Sequence, residues 1–68
     1  MVNTNLLKGR IAVAGFTQKK LAHAAGMSLN SLNAKINGRK IFDADEVIRI
    51  CDILGIHDPR EKCEIFLQ

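Results

Sequence analysis

The chain has no tryptophan and no tyrosine, and its three phenylalanines are scattered. Single-stranded nucleic acid is held by stacking bases on exposed aromatic rings, so this scarcity argues against such a platform. No apolar stretch exceeds the short run from Ile11 to Phe16, and the N-terminus lacks a basic region followed by an apolar one. Neither a targeting segment nor a membrane anchor is expected, which points to the cytoplasm. The two cysteines, Cys51 and Cys63, have no metal-ligand spacing around them, and His23 and His57 belong to no paired pattern. Reduced thiols behaving as small apolar side chains are expected, with no metal, no disulfide and no cofactor. Ser28, Ser31 and His23 suggest a catalytic triad only superficially, because Ser28 is better used as a helix cap. No phosphate-cradling glycine loop, carboxylate pair or activated nucleophile is visible, and a helical chain of this length has little room for a pocket. An enzyme and a small-molecule ligand are both disfavoured.

Acids are missing from a long part of the chain. Residues 1–42 hold Lys8, Arg10, Lys19, Lys20, Lys35, Arg39 and Lys40 with no Asp or Glu; residues 43–68 hold Arg49, Arg60 and Lys62 against all seven acids. The net charge of +3 therefore hides a basic part and an acidic part. A field of one sign over the basic part attracts a polyanion, with the acidic part turned away. Sixty-eight residues make one domain, whose core is expected to supply about 3–5 kcal/mol, so that self-association or a partner would help it.

What is present is helical periodicity punctuated by caps. In residues 17–38, TQKKLAHAAGMSLNSLNAKING, Thr17 caps a helix that turns Leu21, Ala22 and Ala25 to one side. Gly26 stops it, Met27 plugs the joint, and Ser28 caps the next helix. There Leu32 and Ile36 face inward, while Asn30, Ala34 and Asn37 fall on the outer side of the wheel. Upstream, Thr4 or Asn5 caps a first helix reaching about Ala14, with Leu7, Ile11 and either Val13 or Ala14 as its inner stripe and residues 1–3 frayed. Gly9 costs that helix about 1 kcal/mol relative to Ala, which suggests close approach of a neighbour. Downstream, Asp43 and Glu46 read as a capping box, Val47, Ile50, Cys51 and Leu54 as an inner face, and Gly55 as a stop. Asp58-Pro59 opens a short last helix within residues 58–68. The chain is thus expected to be all-α: one domain of five helices over residues 1–68.

Gln18, Leu21, Ala22, Gly26, Met27, Ser28, Leu32 and Asn37-Gly38 resemble the motif of the phage repressor and Cro helix-turn-helix family. Leu7 and Ile11 before it, and Phe42, Glu46-Val47, Ile50 and Leu54-Gly55-Ile56 after it, are similar to that family's flanking helices, so residues 4–56 are covered. Short prophage and mobile-element regulators look most similar. The resemblance implies a lambda-repressor-like fold, with helices 2 and 3 as the helix-turn-helix. It also implies sequence-specific binding to double-stranded DNA. Two residues depart from the pattern: no acid stands near Lys20, where the family usually has one, and Lys35 stands where many members carry an apolar residue.

A recognition helix lies in the major groove with its N-terminal residues nearest the bases. Asn30 and Asn33 are expected to read adenine by bidentate amide bonds, and Ala34 to touch thymine methyls; Leu29, near the edge of the core stripe, either packs there or joins them through the resemblance alone. No Arg occupies this face, so A·T-leaning sites are expected. Gln18, Lys19, Lys20, Ser28, Asn37, Arg39 and Lys40 are expected on the DNA backbone, since two lysines in the first turn of a helix oppose its dipole unless an anion offsets them. Ile65, Phe66 and Leu67 either close the core or form a homodimer interface. The expected function is a transcriptional regulator, a prophage or mobile-element repressor. The competing class is a protein-interaction module, such as an antitoxin or anti-repressor, using the C-terminal apolar face.

Overall fold

The computed structural model describes residues 1–67, which form α1 (Thr4–Val13), α2 (Gln18–Ala24), α3 (Leu29–Ile36), α4 (Ala44–Leu54) and α5 (Pro59–Phe66). Local chemistry accounts for the starts. Thr17, Ser28, Asp43 and Asp58 each accept a hydrogen bond from the first turn of the helix they precede. At α4 the capping box is complete, because the Glu46 side chain accepts in return from the Asp43 N–H at 2.9 Å. Such a cap contributes about 1 kcal/mol, which matters in a chain this small.

The helix ends repeat one device. Past α3 the Gly38 N–H donates to the Lys35 carbonyl and the Arg39 N–H to that of Ala34, which requires Gly38 to adopt a left-handed φ of 80°. Matching bonds close α1, α2 and α4, where the residue after the glycine is Phe16, Met27 or Ile56. Those three turn back onto the core. At α3 the same position is held by an arginine, so that closure leaves a charged side chain on the surface.

Leu7, Leu21, Leu32, Ile36, Ile50, Cys51, Ile56 and Ile65 are fully buried, and every helix contributes at least one of them or is joined to one by the turn that follows it. α2 packs chiefly on α3, while α1 reaches α3 and α5, and α2 reaches α4. Burying each large aliphatic side chain contributes about 1.5–3 kcal/mol, which is opposed by the entropy of ordering the chain.

Several expectations need correction. The cap of α1 is Asn3, whose side chain accepts from the Leu6 N–H, and Val2 and Asn3 are held in place rather than frayed. The Asn3 N–H donates to the Ile65 carbonyl at 2.6 Å, and Val2 packs against the core. Thr4 uses its hydroxyl elsewhere, donating to the Ile36 carbonyl at 2.7 Å. Val13 is 81% exposed and Ala14 is exposed as well, because the helix ends there and Phe16 fills the space instead. A side chain at Gly9 would meet nothing within 4 Å, so no neighbour approaches it.

The C-terminal trio divides. Ile65 is fully buried in the core and unavailable to a partner. Phe66 is half-buried, with its ring edge-on to Phe42 at 5.4 Å, while Leu67 is 75% exposed. One turn of a helix cannot point three successive residues the same way, so core and surface roles fall to different members.

Candidate nucleic-acid interface

Two short helices and the turn between them carry the candidate surface. Leu21 on α2 and Leu32 on α3 are both fully buried, and the Met27 N–H donates to the Ala22 carbonyl at 2.8 Å, so core packing and a backbone bond fix the turn. The Thr17 hydroxyl accepts from the Lys20 N–H at 3.1 Å and the Ser28 hydroxyl from the Ser31 N–H at 3.1 Å, so Ser28 is both cap and surface residue. Leu29 is 43% exposed and Asn30 is exposed, which leaves the first turn of α3 open to a ligand. Leu29 is therefore not among the core residues.

Ala34 lies on the inner side, 8% exposed, rather than on the outer side expected from the wheel. Its carbonyl accepts from both Arg39 at 2.8 Å and Lys40 at 3.3 Å, because the turn after α3 folds back against that part of the helix. A helical wheel contains no term for such a returning turn.

Asn33 is half-buried and bonded at both ends of its amide. Its Nδ2 donates to Gln18 Oε1 at 3.0 Å, while its Oδ1 accepts from Asn37 Nδ2 at 3.3 Å and from the Arg39 guanidinium at 3.0 Å. This network ties the start of α2, the middle of α3 and the residue beyond the α3 turn to one side chain. Lys19 and Lys20 follow Gln18, and Lys40 follows Arg39; all three are exposed and bracket α3.

The charge pattern is sharper than the sequence suggested. Lys35 is paired with Glu46, and Arg10 with Glu61 at 3.3 Å, so two cations of the acid-free part are neutralised by the acidic part. Lys8, Lys19, Lys20, Arg39 and Lys40 remain exposed, with no acid partner among the described residues. Lys35, which stands where many family members carry an apolar residue, reaches back to α4 while Leu32 and Ile36 stay fully buried.

Beside this surface lies a feature that sequence reasoning missed. An apolar groove of about 710 Å³ is lined by Phe42, Val47 and Phe66 and by Ile41, Ile48 and Leu67, which are 90%, 56% and 75% exposed. Among the described residues the charged side chains lining it are Lys35, which is paired with Glu46, and Lys40 and Lys62. The signal in the sequence is Ile41, an isoleucine directly after two cations in a turn. Among the described residues no group of His, Cys, Asp and Glu is placed to hold a metal, and no helix is long and apolar enough to cross a membrane.

A cap-turn-cap pair of helices, flanked by cations and supported by three further helices, defines a helix-turn-helix domain. A helix-turn-helix family model matches residues 13–59, more than half of the chain, and the protein belongs to that family of Cro-like, DNA-binding transcription regulators. No curated protein and no solved structure matches it.

Proposed function

We propose that the protein is a sequence-specific regulator that occupies operator DNA, a repressor of a prophage or mobile-element promoter. The observation that carries this reading is the set of five exposed cations, all from the acid-free part, with four of them bracketing α3. In this reading α3 enters the major groove, Leu29 and Asn30 meet base edges, and Gln18, Lys19, Lys20, Ser28, Asn37, Arg39 and Lys40 hold the backbone. Ala34 keeps at most a grazing contact through its small exposed area. Repression follows from occupancy, which blocks polymerase. Two copies bind inverted half-sites about 34 Å apart, one turn of duplex, and meet through exposed apolar residues including Leu67 and part of Phe66. The test is fluorescence anisotropy with labelled duplex and single-stranded oligonucleotides of the same sequence. Salt-sensitive binding that prefers the duplex supports the reading; equal or stronger binding to the single strand contradicts it.

A second reading is favoured by the groove. Its apolar floor, with Lys40 and Lys62 at the rim, suits an apolar segment with acidic flanks from another protein, as expected of an antitoxin or anti-repressor partner. Sedimentation of the protein alone separates the occupants. Concentration-dependent dimers abolished by Ile48→Glu favour a second copy, and a monomer at every concentration favours the foreign segment.

A further inference from the structure

The hydrogen bonds around Asn33 have a direction, and one residue sets it. A guanidinium carries donors only, so the Asn33 atom 3.0 Å from Arg39 NH2 must be the carbonyl oxygen. Reversing the amide would aim an NH2 group at a cation. With Oδ1 facing Arg39 and Asn37, Nδ2 faces Gln18, and a donor arriving at 3.0 Å requires Gln18 to answer with Oε1. The Gln18 amide nitrogen is then the end directed away from Asn33, and it is not a buried, unsatisfied atom. Each link has one chemically sensible orientation once Arg39 is in place.

We infer that Arg39, acting through Asn33, fixes the polarity of the Gln18 amide so that Gln18 offers its N–H donors to a DNA phosphate, and that Asn33 is a positioning residue rather than a base reader. The inference rests on the DNA-binding reading above and deepens it. Adenine recognition by asparagine needs Oδ1 to accept from N6 and Nδ2 to donate to N7. In Asn33 the oxygen already accepts two bonds and the nitrogen already donates one. Reading a base would break the network that holds Gln18 and Arg39, and base discrimination on α3 passes to Asn30 and Leu29. Phosphates accept only, so a pre-oriented donor amide binds one without the cost of ordering it.

The test is a double-mutant cycle on duplex affinity with Gln18→Ala, Arg39→Ala and both, joined to a measurement on the free protein. In the wild-type background Gln18→Ala is expected to weaken binding about tenfold, the size of a hydrogen bond to a charged group. In the Arg39→Ala or Asn33→Ala background the same change is expected to cost about twofold or less, since the amide is then free to turn. Asn33→Ala should weaken all duplexes alike, whereas Asn30→Ala should change the preferred sequence. In the free protein, the Asn33 side-chain amide protons should exchange with solvent slowly by NMR and lose that protection in Arg39→Ala. An additive cycle, a changed base preference in Asn33→Ala, or exchange indifferent to Arg39 would overturn the inference. Absence of duplex binding by the wild type would defeat the functional reading, and the exchange measurement would still decide the orientation.

Discussion

Lys35 on α3 and Glu46 on α4 form an ion pair in which the carboxylate serves two masters: Oε2 accepts from Lys35 Nζ while Oε1 accepts from the Asp43 N–H. Both side chains are largely out of water, at 14% and 9% exposure. Removing one partner leaves the other charge stranded, whereas replacing both leaves nothing to compensate. Lys35→Ala is expected to destabilise the fold by about 3 kcal/mol, and Lys35→Met with Glu46→Gln to recover most of that, since Gln retains an oxygen for the cap. Urea denaturation of the two variants measures the difference. A single substitution without effect would mean that the pair is solvated and carries little stability.

Ile65 and Leu67 should separate cleanly. The first is fully buried and the second 75% exposed, so Ile65→Ala is expected to cost about 2–5 kcal/mol, comparable with the whole stability of a domain this size. Leu67→Ala should cost less than about 0.5 kcal/mol. Circular dichroism on heating reads both. A large loss in Leu67→Ala at concentrations where the protein is monomeric would place that residue in the core.

The two thiols should react differently. Burial pushes the Cys51 thiol above its ordinary range, opposed by the Lys62 charge and reinforced by Asp52 and Glu61. Cys63 is exposed. One equivalent of iodoacetamide at neutral pH is expected on Cys63, with Cys51 labelled only after unfolding. Because the folded Cys51 holds its proton more tightly than the unfolded chain does, its contribution to stability is present at neutral pH. That contribution is lost as pH rises beyond the ordinary thiol range. Mass spectrometry of peptides reads the labelling, and thermal melts at alkaline pH read the sign.

Lys40 follows the α3 turn and has no acid partner among the described residues. As a phosphate clamp it would contribute about one released counterion, so Lys40→Ala is expected to reduce the slope of log affinity against log salt by about 0.9 and to weaken all duplexes similarly. Equal slopes for variant and wild type would remove Lys40 from the interface.

The features legible from the sequence share a property: they are local. Thr17, Ser28 and Asp43 lie next to the helices they cap, and the α4 capping box spans four residues, so neighbouring chemistry suffices to find them. The role of Asn3 is not local, because its backbone is held by the Ile65 carbonyl, more than sixty residues away in sequence. The burial of Ala34 is not local either, because a turn returns over it. The network through Asn33 joins residues 15 and six positions away, and only the folded turn brings Gln18 and Arg39 to one amide. One clue was present: the residue after a helix-ending glycine is apolar at Phe16, Met27 and Ile56 but is Arg39 here. That break in the pattern marks a side chain that stays on the surface.

The central claim, that α3 reads duplex sequence through its first turn, is tested most directly by selecting bound duplexes from a random-sequence pool and sequencing them, for the wild type and for Asn30→Ala. The account predicts an A·T-leaning motif in two inverted half-sites one turn apart. It also predicts that preference at one position per half-site is relaxed in the variant by about 1–3 kcal/mol. Retention of duplexes without any enriched motif, or an identical motif from Asn30→Ala, would contradict it.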